Sequence, residues 1–161
     1  MPKIVKSSDI HGQTYDVTVD QLAWRPAAYA IVVHNGKILL TKQHKTFHLP
    51  GGGVNLGEMP EAAAIREVLE ETGLIVDNPR LAGQISTFFT YGHGDKIKHV
   101  QSILLYYRCD YVGGNLSTAG FEAGEKLIGE LAEWIPVQDL DTINAGSTIN
   151  WRSLIKETLS R

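Results

Sequence analysis

Along this chain the spacing of apolar residues switches between two periods, and the switches predict where strands give way to helices. Residues 27–33 form a nearly continuous apolar run, and a second run at 38–40 follows the tetrapeptide His34-Asn35-Gly36-Lys37. Asn-Gly between two apolar runs predicts a hairpin, because both residues tolerate the positive φ that a tight two-residue turn demands. Residues 81–90 and 100–109 read as two further strands, the second rich in Ile, Leu and Tyr, with a glycine-containing loop across 91–98. Weak alternation over 14–19 and a short apolar stretch at 131–135 predict two smaller strands. The period turns helical at 60–72 and again at 149–159, where Ile155 and Leu159 follow Trp151 at four-residue spacing. Strands mixed with two helices, without strict βα alternation, predict an α/β fold layered around a mixed sheet.

The 60–72 helix carries the chemistry. Pro60 suits its first turn and Gly73 its C-terminal cap. At about 100° per residue, Glu67, Glu70 and Glu71 fall on one side. Ala63 and Ala64 lie beside them and are expected to leave that side open, so that Glu67 and Glu71 face solvent. Ile65, Val68, Leu69 and Thr72 are expected to face the core, and Arg66 stands four residues before Glu70, in reach of its carboxylate. Glu58, Glu67, Glu70 and Glu71 are four of the five carboxylates in the fourteen residues 58–71, next to Gly51-Gly52-Gly53. Such a cluster repels itself unless it holds a cation, and hard oxygen donors beside an approachable backbone point to a hard divalent metal. A Glu-rich helix can equally be a solvated face, and the glycine loop weighs against that.

Composition narrows the classes. The chain has 161 residues, 43% hydrophobic and 20% charged, which suits one domain spanning 1–161 with a sizeable core. A net charge of −3 gives no strong attraction to nucleic acid or to an anionic membrane, so stable binding to either is not expected. No apolar run approaches a membrane span, and the N-terminus lacks the apolar core of a signal peptide, so the cytoplasm is the expected location. The single Cys109 lies in an apolar strand pattern and reads as a buried thiol.

From Gly52 to Leu74 the chain reads Gly, five residues, Glu58, seven residues, Arg66-Glu67-Val68, one residue, Glu70-Glu71, one residue, Gly73-Leu74. This resembles the signature box of the Nudix hydrolases, the MutT-like family, at all nine fixed positions. The flanks at 26–49 and 130–140, the latter with Trp134 and Pro136, are similar to the family's first strands and closing segment. The resemblance covers roughly residues 25–140 and implies an α/β/α sandwich around a mixed β-sheet, with a C-terminal helix at about 149–159 added. It also implies divalent-metal-dependent hydrolysis of a pyrophosphate bond in a nucleoside diphosphate linked to another moiety, by water attack at phosphorus, with Mg²⁺ or Mn²⁺ as cofactor. The alternative is a catalytically silent module that keeps the fold and binds a nucleotide. Homodimers are frequent in that family, so a homodimer is an expectation here. Many relatives carry an acidic residue where this chain has Asn55.

Carried over position by position, the resemblance implies Glu67, Glu70 and Glu71 as catalytic metal ligands, with Gly51 contributing its carbonyl. Arg66 would orient them, and Gly52, Glu58 and Gly73 would hold the box together. The general base is open between Glu67 and a later glutamate, with Glu122, Glu125, Glu130 and Glu133 the candidates. For substrate binding, the cationic stretch Lys42, His44, Lys45 and His48 precedes the glycine loop, while Tyr91, His93 and His99 border the 91–98 loop. Most of the aromatic residues, Tyr29 and Trp134 among them, sit in strand patterns and read as core.

Overall fold

The computed structural model describes residues 2–9, 11–92, 94–123, 125–145 and 150–160. In chain order come β1 (Ile4–Ser8), β2 (Thr14–Thr18), β3 (Leu22–His34), β4 (Lys37–Gln43), β5 (Thr46–His48) and β6 (Gly51–Gly53). Helix α1 (Pro60–Thr72) follows, then β7 (Leu74–Tyr91), β8 (Lys98–Gly114), α2 (Glu125–Ile128), β9 (Gly129–Pro136) and α3 (Trp151–Ser160). The β3–β4 hairpin closes on Asn35 and Gly36, both at positive φ, with Val33 opposite Ile38. Strands β7 and β8 run past the expected 81–90 and 100–109 at both ends and pair antiparallel along almost their whole length. Three strands were not expected. β1 is short and largely polar, and β5 and β6 have three residues each, too few for a period to show. Within the expected 91–98 loop Gly94–Lys96 forms a 3-10 turn, while His93 lies outside the described residues. Ile149, the expected start of the last helix, also lies outside them.

The strands share one curled sheet in the order β2-β1-β7-β8-β3-β4-β5, with β6 joined to β3 and β9 to β4. It is mixed: β3–β8 and β1–β7 are parallel and the other pairs antiparallel. Successive side chains of a strand point to opposite faces, so β3 sends Ala28, Ala30 and Val32 into one core cluster and Ala27 and Ile31 into another. Helix α1 covers the first through Ala63, Ala64 and Val68, and α3 covers the second through Trp151 and Ile155. This is the α/β/α layering expected. Cys109 is buried in the first cluster, and its thiol pKa is pushed up to about 11 by burial. Among the described residues no helix is long and apolar enough to cross a membrane.

Helix α1 has the expected ends, with Pro60 in the first turn and Gly73 capping in the left-handed region at φ 75°. Val68 and Thr72 are buried as expected, while the alanines, Glu71 and Leu69 differ from expectation. Leu69 is 52% exposed, whereas Ala63 and Ala64 are fully buried and Glu71 is only 7% exposed. The reason is steric. The two alanines let the helix backbone approach the sheet closely, so the side bearing Glu67 and Glu71 forms the seam with the sheet. Leu69 lies roughly 160° around the helix from Glu71 and is turned outward.

Candidate active site

The seam between α1 and β6 assembles the box. Antiparallel pairing lays Gly51, Gly52 and Gly53 against Tyr29, Ala28 and Ala27 of β3. Gly52 admits the helix: a Cβ there would stand 2.6 Å from Glu67 Oε1. Arg66 ties loop to helix. Its Nε and Nη2 donate to the two Glu58 oxygens at 2.7 and 3.0 Å, its Nη1 to Glu67 Oε1 at 2.9 Å and Glu70 Oε2 at 2.8 Å, and its Nη2 also to the Gly53 carbonyl at 3.2 Å. Glu58 accepts the Asn55 N–H as well, and the Arg66 guanidinium holds its carboxyl down at about 2. Arg66 in turn is held more firmly protonated, first by Glu58. Glu71, on the buried side, accepts the Gly51 N–H at 2.8 Å. Three carboxylates surround the Arg66 guanidinium and Glu71 stands on the Gly51 N–H, so these five side chains carry three formal negative charges.

A small pocket opens beside Glu71, walled by Thr41, Lys42 and Gln43 of β4 together with Phe121, Gly129 and Glu130. Lys42 therefore reaches the box, but its ammonium is held by Glu133 at 2.9 Å and Glu130 at 3.5 Å across the β4–β9 pair. That pairing also occupies the two loop glutamates considered as bases. Glu122 is exposed, and the side chain of Glu125 lies outside what the structure describes. His48, half-buried on β5, shares a hydrogen bond with the Thr46 hydroxyl, and burial pushes its imidazole pKa down. Tyr91 and His99 are not brought to this site. His99 pairs with Leu22 while Gly52 pairs with Ala28, six residues and roughly 20 Å along the same strand. His99 instead shares the Thr90 hydroxyl at 2.8 Å, beneath β1. Sequence reasoning missed Arg25. Its guanidinium acts on the Tyr29 hydroxyl, as Glu71 and Glu67 also do, and it flanks Gly53. Burial dominates in raising the Tyr29 pKa, with Arg25 opposing it.

The family model of the NUDIX domain matches residues 24–154. This chain belongs to the Nudix family. An ADP-ribose pyrophosphatase of Methanocaldococcus jannaschii is 36% identical over 104 residues, covering 62% of this chain and 57% of that protein. The NAD-capped RNA hydrolase of Vibrio atlanticus is 30% identical over 138 residues, covering 83% of this chain and 45% of that protein. The chain thus spans about half the length of these relatives. A MutT protein of Bacillus halodurans superposes with a TM-score of 0.65 over 85% of this chain and 83% of its own at 23% identity, which shows the Nudix fold.

Nudix hydrolases generally use a divalent metal, and the donor set here can be tested for one. Every donor at the seam is a carboxylate or backbone oxygen, the chemistry of a hard cation. Among the described residues no three acidic, His or Cys side chains close on one point, because Arg66 draws Glu67 and Glu70 while the Gly51 N–H draws Glu71. A Mg²⁺-sized ion does not require such a cage. It keeps several waters and takes one or two carboxylates together with substrate phosphate. The residues therefore fit a cation shared with a phosphate ligand.

Proposed function

We propose that this Nudix protein hydrolyses a pyrophosphate bond in a nucleoside diphosphate linked to a further group, with Mg²⁺ or Mn²⁺ as cofactor. The observation that carries the reading is the seam itself: box carboxylates held in fixed places by one arginine and one backbone N–H, beside a pocket. The names of the relatives, an ADP-ribose pyrophosphatase and an NAD-capped RNA hydrolase, support the same class of bond.

Glu67, Glu70 and Glu71, with the Gly51 carbonyl, would hold the ion. When bound it would neutralise phosphate oxygens and lower the pKa of a water. The protein's own share is preorganisation. Arg66 fixes the Glu67 and Glu70 carboxylates, so no reorganisation is needed as charge develops. Glu67 is the in-box base: it takes the proton of the attacking water as the water oxygen bonds to phosphorus, and the bridging oxygen leaves with the other phosphoryl group. Glu130 and Glu133, already paired with Lys42, act as holders of β4 rather than as bases. Arg25, between Gly53 and the Tyr29 hydroxyl, is the cation placed to meet a phosphate oxygen.

The test is product analysis on dNTPs, oxidised dNTPs, ADP-ribose, NADH, diadenosine polyphosphates and nucleotide sugars, each with Mg²⁺ and with EDTA. Metal-dependent cleavage of a pyrophosphate bond is the expected result. No turnover of any member by a folded protein that binds Mg²⁺ would overturn the reading in favour of a silent binding module.

A further inference from the structure

Strand β4 is bounded by a two-residue turn at each end, and the two turns have opposite chemistry. At its start Asn35 and Gly36 take φ of 50° and 73°, residues suited to that left-handed backbone. At its end Gln43 pairs with Thr46, and the residues between them, His44 and Lys45, take φ of 47° and 65°. Both φ values are positive as in a type I′ turn, whose usual residues are Asn, Asp and Gly, and lysine in particular does not enter that region readily. The surroundings over-determine it. Glu130 Oε1 accepts the Lys45 N–H at 3.2 Å, the Thr46 hydroxyl donates to the Gln43 carbonyl at 2.6 Å, and the Phe47 N–H donates to the Asn144 carbonyl at 2.8 Å. Strain that persists because its neighbours enforce it is found where a side chain has a task.

The location indicates which task. The strand leading into the turn, and the Glu130 that holds it, wall the pocket shared with Glu71. A phosphate chain reaching that pocket meets a seam with three formal negative charges. Of the cations near it, Arg66 is already engaged by three carboxylates and Lys42 by two, which leaves Arg25 beside Gly53 and the two residues of the turn. Among the described residues His44 and Lys45 form no ion pair, and both are exposed.

We propose that the His44–Lys45 turn is a specificity element that receives a phosphate lying beyond the bond being cleaved, so that the site favours nucleotides with three or more phosphates over diphosphate-linked ones. This rests on the hydrolase reading for the bond cleaved, but it is tested by binding alone. Calorimetry would measure the affinity of Mg²⁺-pyrophosphate and Mg²⁺-tripolyphosphate for the wild-type chain, for Lys45→Gln, which removes charge and keeps the strained backbone, and for the double change His44→Asn with Lys45→Gly, which removes both. Lys45→Gln is expected to weaken tripolyphosphate about tenfold or more while pyrophosphate shifts much less. The double variant is expected to do the same and to melt roughly 2–4 °C higher, as relief of strain requires. Equal loss of both ligands, no loss of either, or an unchanged melting temperature in the double variant would each overturn the proposal. Failure of the hydrolase reading would appear elsewhere, as absence of turnover by the wild-type chain on any nucleotide.

Discussion

Gly51 and Gly52 are adjacent on β6 but meet different neighbours, so the same substitution at each should separate activity from folding. A Cβ on Gly52 would sit 2.6 Å from Glu67 Oε1 and 2.8 Å from its carboxyl carbon. Ordinary contact begins near 3.4 Å, so the Glu67 carboxylate must retreat by about 0.8 Å. It is the far end of a flexible side chain and can do so. A misplacement near 1 Å costs on the order of 100-fold in rate, so Gly52→Ala should lower kcat/KM by roughly 10- to 100-fold, or ~1.4–2.7 kcal/mol. The smaller unfolded-state entropy of alanine offsets part of the displacement, by about 0.4–1 kcal/mol, so the melting temperature should stay within a few degrees of wild type. Gly51→Ala behaves otherwise. Its Cβ would stand 2.4 Å from the Ala28 carbonyl oxygen and 2.6 Å from Tyr29 Cα, backbone that cannot give way without breaking the β3–β6 pair. That variant should lose much of its stability. The assay pairs a thermal melt with turnover of the best substrate found. Wild-type turnover in Gly52→Ala, or a melt as depressed as that of Gly51→Ala, would refute the argument that Gly52 serves the position of Glu67.

Leu69→Ala should change stability by no more than about 0.5 kcal/mol, because Leu69 is turned to solvent, whereas Ile155→Ala, on the fully buried face of α3, should cost about 2–5 kcal/mol in denaturant titration. Comparable losses would place Leu69 in the core after all. Because Arg66 depresses the Glu58 pKa in the folded chain, the stability Glu58 contributes is complete above the ordinary glutamate range and is lost as pH falls through that range toward about 2. The gap in melting temperature between wild type and Glu58→Gln should therefore narrow on acidification, and a gap that stays constant across that window would contradict the pairing.

The ends of α1 were legible because local chemistry sets them: Pro60 has a suitable φ for the first turn and Gly73 accepts the left-handed cap. Its orientation was not, because periodicity gives angles between residues but not the direction of the sheet. Two alanines made close packing possible, so the carboxylate side became the seam and Leu69 the outer face. The Asn35-Gly36 hairpin was legible for the same local reason, while the parallel β3–β8 and β1–β7 pairs join segments far apart in the chain and leave no local mark. Within the site, box spacing located Glu58, Arg66, Glu67, Glu70 and Glu71 together. Arg25 arrives only through β3–β6 pairing, and Lys42 meets its carboxylates across 88 and 91 positions, which no window could show. An arginine directly before the apolar run of β3 was the one available signal for Arg25.

If the box carboxylates perform metal-dependent hydrolysis, turnover by Glu71→Gln at saturating Mg²⁺ is the measurement that decides it. Glutamine keeps an acceptor oxygen for the Gly51 N–H, so the fold should persist, but it removes the charge. A normally folded variant whose turnover of the best substrate is lower than wild type by orders of magnitude is expected. A folded variant cleaving at the wild-type rate would contradict that role of the carboxylates.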